Sequence, residues 1–146
     1  IEWPILIVIA AALGVGTAME KTGVAAATAN QLTALVGDVG PLAALALIYF
    51  VSVILTEAIS NNAAAALMFP ISVATASQLG VDARGFVMAV TVAASCGFAT
   101  PIGYQTHLIV FGPGGYRFSD FVRVGAPLDL LCGVVALAVI PYFFPF

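Results

Sequence analysis

The chain has 146 residues, of which 62% are hydrophobic and only 8% are charged, with a formal net charge of −3. Soluble domains carry roughly a quarter charged residues, so this composition predicts an integral membrane protein. The few charges form no acidic or basic run, which argues against nucleic acid as a partner.

The first half of the chain predicts a span, a surface helix and a hairpin. Residues 3–20 are apolar and long enough to cross the hydrocarbon layer as a helix. Residues 23–36 contain too many polar side chains to span, and we expect an interfacial helix there. Residues 41–79 consist of two apolar arms around a polar centre, which predicts a helical hairpin.

The second half predicts a broken helix and a final span. Residues 85–111 are apolar at both ends and polar near the middle, so we expect a helix with an unwound centre. Residues 124–144 are again apolar and long enough to span. The predicted fold class is an all-α membrane protein.

The polar centre of the hairpin lies between Thr56 and Asn62. Polar groups at membrane depth are costly and usually face a partner, a cavity or a solute. A helix that starts here would direct its free N–H groups and the positive end of its dipole at this point. This pattern predicts an anion site at Ser60, Asn61 and Asn62. A plain turn between two spans is the alternative, because Ser and Asn also favour turns.

The polar centre of the broken helix lies between Ala99 and His107. Pro101 removes a backbone donor, and Gly103 permits a sharp backbone path. Carbonyl oxygens freed in this way, together with threonine hydroxyls, are hard ligands suited to Na⁺. We expect this segment to lie against the hairpin tip, because two broken helices in a membrane protein favour a shared transport site. An ordinary proline kink is the alternative.

Two titratable side chains in these breaks allow more than one interpretation. His107 is either a packed histidine bonded to a carbonyl group, or a ligand or proton carrier. Glu57 is either held by nearby N–H groups or is a proton-coupling acid. An intramembrane hydrolase that uses Ser60 or Cys96 with His107 as base is a more distant alternative.

Four segments of the chain resemble a known family: residues 3–7, 56–63, 98–106 and 112–121. Over nearly the whole chain they are similar to the divalent anion:sodium symporter family, within the citrate and arsenite permease superfamily. The similarity is strongest to members that carry TrkA-C regulatory domains.

This resemblance implies that the chain is the C-terminal part of a transport domain. It would form one inverted repeat, with a re-entrant hairpin and an unwound transmembrane helix, and an N-terminal repeat of the same protein would supply the rest. A homodimer in the bacterial inner membrane is implied. The substrate would be a small divalent anion, sulfate or a di- or tricarboxylate, carried by alternating access with Na⁺ and no other cofactor. Proton coupling and arsenite-type transport remain alternatives.

The resemblance also implies roles for particular residues. The hairpin tip usually reads Ser-Asn-Thr in that family, so the third position departs by replacing a hydroxyl with an amide. His107 stands where the family usually has Asn, which predicts an altered substrate size or pH dependence. The implied substrate contacts are Ser60, Asn61, Asn62, Thr106 and His107. The implied sodium contacts are Ser60, Asn62, Thr100, Pro101 and Gly103.

Overall fold

The computed structural model describes residues 3–36 and 39–146. Within these ranges the regular structure is helical, which confirms the predicted all-α class for the part of the chain that is described. The seven described helices are α1 (Trp3–Lys21), α2 (Val24–Val36), α3 (Pro41–Ala58), α4 (Asn61–Leu79), α5 (Ala83–Ala94), α6 (Gln105–Phe111) and α7 (Phe118–Phe143).

A two-residue connection joins α3 to α4, and the two helices pack against each other as a hairpin. Ile59 is extended, and Ser60 caps α4 because its side chain accepts a hydrogen bond from the Ala63 N–H at 3.4 Å. Serine is favoured at this capping position because it satisfies an N–H group that has no partner inside the helix. We call residues 59–62 the hairpin tip.

The helix break comes earlier than the sequence suggests. We expected the first apolar half to continue to Phe98, but α5 ends at Ala94. The last turn tightens, since the N–H groups of Ser95 and Cys96 bond to carbonyls only three residues back, at 3.0 and 2.9 Å. Residues 95–104 then form an irregular stretch, which we call the unwound segment, before the short helix α6 begins.

The last helix starts earlier than predicted. We expected a span over residues 124–144, but α7 begins at Phe118, within the polar stretch that precedes the predicted span. The Arg117 N–H donates to the Asp120 carboxylate at 2.7 Å, which fixes the first turn. A carboxylate at this position is also stabilised by the helix dipole. The polar stretch is therefore helical and continuous with the span.

The apolar core lies between α3, α4, α5 and α7, with α1 and α2 packed on α4. Its largest fully buried side chains include Tyr49, Phe86 and Met68. Helix α5 contacts α3, α4 and α7, so the unwound segment that follows it is placed beside the hairpin tip. Among the described residues, α3 and α7 have the length and hydropathy of membrane spans.

Candidate functional site

Thr56 of α3 and Asn61 of the hairpin tip contact the end of α5 and the unwound segment that follows it. The fully buried Thr56 hydroxyl donates to the Ala94 carbonyl at 2.9 Å, and this carbonyl ends α5 and lacks a helical partner. The side-chain amide of Asn61 lies 2.8 Å from the Thr56 oxygen and 3.1 Å from the Gly103 carbonyl. We assign the amide nitrogen to this side, because Thr56 has already donated its proton and a carbonyl can only accept. The expected contact between tip and unwound segment is therefore confirmed.

Glu57, near the end of α3, makes a second connection between the hairpin and the unwound segment. Its carboxylate accepts a hydrogen bond from the Ala99 N–H at 2.7 Å, and its backbone carbonyl accepts one from the Thr100 hydroxyl at 2.9 Å. The Thr100 oxygen in turn accepts from the Gly103 N–H at 3.1 Å. This geometry agrees with the interpretation that nearby N–H groups hold Glu57.

Asp129 approaches the unwound segment from α7. It is only 6% exposed, and its carboxylate accepts a long hydrogen bond of 3.4 Å from the Phe98 N–H. The Asp129 carboxyl group also neighbours that of Glu57. Two acidic side chains from different helices therefore hold consecutive backbone N–H groups. Such groups must be satisfied by protein or water wherever a chain unwinds inside a membrane.

His107 is packed rather than open. Its Nδ1 lies 3.2 Å from the Thr100 carbonyl oxygen, so this nitrogen carries the proton in the bond. The ring centroid lies 5.6 Å from that of Tyr104 and 5.4 Å from that of Phe121. This arrangement agrees with the first interpretation of His107, a packed histidine bonded to a carbonyl group.

The remaining predicted residues are divided between two places. Thr100, Gly103 and the buried Pro101 lie in the unwound segment that Asn61 and Glu57 contact, and His107 bonds to it. Ser60, Asn62 and Thr106 are exposed on the surface of this chain.

Asn62 faces a different region from Asn61. It lines a groove of about 700 Å³ between α1, α4 and α5, whose walls are mainly apolar and also include Glu20 and Thr91. Adjacent residues at a helix start point about 100° apart, because a turn contains 3.6 residues. The structure therefore does not bring Ser60, Asn61 and Asn62 to one point within this chain.

Sequence reasoning assigned no role to two residues of this site, Thr56 and Asp129. Asp129 is a single acid inside the apolar final span, and such residues usually have a function or a specific partner. Thr56 lies one turn after Ser52, and both are fully buried, so a polar stripe on α3 was the available signal.

Comparison with known proteins gives a consistent result. The family model for the citrate transporter family matches residues 1–93. An uncharacterized transporter of Synechocystis is 45% identical over 131 residues, which cover 90% of this chain and 21% of that protein. Sodium/sulfate cotransporter 1 and probable sodium/sulfate cotransporter 3 of Chlamydomonas reinhardtii are each 39% identical, over 97% of this chain and 16% of theirs.

The family and these relatives are transporters, which confirms the prediction of a transport protein and argues against the hydrolase alternative. The chain spans only about a fifth of the length of these relatives. Because the family model covers more than half of this chain, the chain belongs to the citrate transporter family.

Proposed function

We propose that the protein containing this chain carries small divalent anions across the membrane together with Na⁺, by alternating access. Sulfate and di- or tricarboxylates are the candidate substrates. The contact of the Asn61 amide with the Gly103 carbonyl is the main structural support, because it joins an amide-rich helix start to freed carbonyl oxygens. The names of the Chlamydomonas relatives support sulfate and sodium.

The anion side of the proposed site is the start of α4. Helix N-termini attract anions through their N–H groups and the positive end of the dipole. Asn61 and Asn62 occupy the first two positions of this helix, where the Asn61 amide bonds to Thr56 and Gly103 and Asn62 is exposed. Ser60, which caps the helix, adds a hydroxyl, and Thr106 and His107 would contribute from the start of α6.

The cation side of the proposed site is the unwound segment. It concentrates carbonyl and hydroxyl oxygens from Thr100, Pro101 and Gly103, with Ser60 and Asn62 contributing from the tip. Oxygen ligands of this kind suit a hard cation such as Na⁺. A cation there would lie close to an anion bound at the α4 start, which would couple the two affinities.

The rest of the site would come from outside this chain. We propose that α3 and α4 form a re-entrant hairpin, and that an N-terminal inverted repeat of the same protein supplies a second hairpin facing it. The exposure of Ser60, Asn62 and Thr106 supports this arrangement, because a solute-binding surface shared with another repeat would be open here. A homodimer in the bacterial inner membrane completes the proposal.

The test is counterflow uptake by the full-length protein in proteoliposomes, with labelled sulfate, succinate and citrate, in sodium or choline buffer. We expect at least one divalent anion to exchange, and sodium to raise its uptake. Sodium-independent uptake driven by a pH gradient would instead support proton coupling. Transport of arsenite without any divalent anion would support the arsenite-type alternative.

A further inference from the structure

Glu57 occupies an unfavourable position for a carboxylate. It is the second-last residue of α3, where the negative end of the helix dipole repels a negative side chain. It also lies in a region that the surrounding apolar sequence places at membrane depth, where charge is costly. A residue kept under both conditions requires a specific compensating contact.

The compensating contact is the backbone of the unwound segment. Glu57 Oε1 accepts the Ala99 N–H at 2.7 Å, the short distance typical of a charge-assisted bond. Its backbone carbonyl accepts the Thr100 hydroxyl at 2.9 Å. A single residue beside the tip thus binds two consecutive positions of the unwound segment.

The second oxygen of Glu57 makes no such contact. Oε2 is buried and has no hydrogen-bond partner among the described residues, while the neighbouring Asp129 carboxylate holds the Phe98 N–H at 3.4 Å. A glutamine at position 57 would keep the acceptor for Ala99. It would also place an amide nitrogen, a donor, next to Asp129. Glu57→Gln therefore keeps the hydrogen bond to Ala99 but removes the carboxylate, so the variant tests the bond and the charge separately.

We infer that Glu57 is a positioning residue, which fixes the unwound segment against the hairpin tip through its bond to Ala99. Glu57 holds Thr100 and Gly103 in place, and it acts on transported solutes only through these two residues. In this respect the inference rests on the proposed function. Removal of the side chain should loosen the segment and weaken both proposed sites together, whereas a neutral acceptor of the same length should preserve them.

The first measurement is hydrogen exchange of residues 95–104 in the purified full-length protein, which requires no transport. We expect Glu57→Ala to accelerate exchange of the Ala99 N–H by roughly ten- to a hundredfold, the factor for a lost hydrogen bond to a charged group. Glu57→Gln should stay close to wild type. Glu20→Ala is the control, because Glu20 is an exposed carboxylate at the end of α1.

The second measurement is the kinetics of sulfate uptake in proteoliposomes. Glu57→Ala should raise both the sulfate KM and the half-saturating sodium concentration, and Glu57→Gln should restore them. A general folding defect would lower only the maximal rate per mole of protein. Equal damage by Ala and Gln, or unchanged exchange in Glu57→Ala, would overturn the inference. If the wild type carries no sulfate, the proposed function fails, and the exchange experiment still decides the role of Glu57.

Discussion

Gly97 and Gly103 lie backbone to backbone, at the two ends of a loop within the unwound segment. A Cβ atom added to Gly103 would overlap the carbonyl group of Gly97. A Cβ atom added to Gly97 would instead meet the Gly103 Cα at 3.4 Å, an ordinary contact. The absence of a side chain at Gly103 therefore allows the segment to close on itself and present its carbonyl to Asn61.

The asymmetry between these glycines leads to a prediction. Gly103→Ala should destabilise the protein by about 1–3 kcal/mol, the usual cost of overpacking, because only backbone atoms stand in the way. Gly103→Ala should also impair sulfate uptake, whereas Gly97→Ala should change stability and uptake much less. Thermal unfolding of the purified full-length variants measures the stability difference. Equal effects of the two substitutions would contradict the close approach described here.

A second glycine contact joins α7 to the unwound segment. A Cβ on Gly125 would overlap the Phe98 carbonyl group, so Gly125→Ala should displace the segment or the helix and lower the unfolding temperature. Gly14→Ala in α1 is the matched control, since a Cβ there meets no atom of the described residues within 4 Å. A Gly125→Ala protein as stable as Gly14→Ala would show that α7 does not pack as described.

Thr56 gives a test of the bond between the tip and the end of α5. Thr56→Val keeps the shape but removes the hydroxyl that donates to the Ala94 carbonyl and accepts from the Asn61 amide, at an expected cost of about 1–3 kcal/mol. Thr56→Ser should retain most of the stability.

The control for Thr56 is Thr75→Val. Thr75 is also fully buried, but its hydroxyl bonds only to the Ile71 carbonyl in its own helix, at 2.8 Å. Loss of the Thr75 hydroxyl should lower the free energy of unfolding by less, because the Ile71 carbonyl lies inside the helix and has a backbone partner as well. Chemical or thermal unfolding of the four proteins makes the comparison. A larger loss at Thr75 than at Thr56 would be inconsistent with the described network.

Uptake kinetics test the division between anion and cation sides. Ser60→Ala and Asn61→Ala should raise the apparent sulfate KM by roughly ten- to a hundredfold, as expected for a lost hydrogen bond to a charged group. Thr100→Ala should weaken sodium activation more than sulfate affinity. Thr28→Ala is the control, since that hydroxyl bonds within α2. Wild-type kinetics in all three site variants would place the site elsewhere.

His107 can be tested by separating its ring from its hydrogen bond. His107→Asn supplies an amide that can still donate to the Thr100 carbonyl, whereas His107→Phe keeps an aromatic ring between Tyr104 and Phe121 but cannot donate. We expect sodium activation of uptake to persist in the Asn variant and to weaken in the Phe variant. If the Phe variant retains sodium activation and the Asn variant loses it, ring packing matters more than the bond.

The sequence alone determined the class of the protein and the positions of its two breaks. Composition is a property of the whole chain, so an apolar content of 62% was sufficient to predict a membrane protein. The hairpin tip and the unwound segment were also visible, because Ser60, Pro101 and Gly103 act on the backbone locally. The exact ends of α5 and α7 were less accessible, since they depend on hydrogen bonds at single residues such as Asp120.

Only the tertiary structure decided which polar groups meet. Asn61 faces the Gly103 carbonyl while its neighbour Asn62 faces a groove, a division set by helix rotation and packing. Glu57, Ala99 and Asp129 come from three distant parts of the chain, and their contact exists only because α3 and α7 pack on α5. Local sequence signals predict where a helix breaks, but the partners that satisfy the freed backbone are supplied by long-range packing.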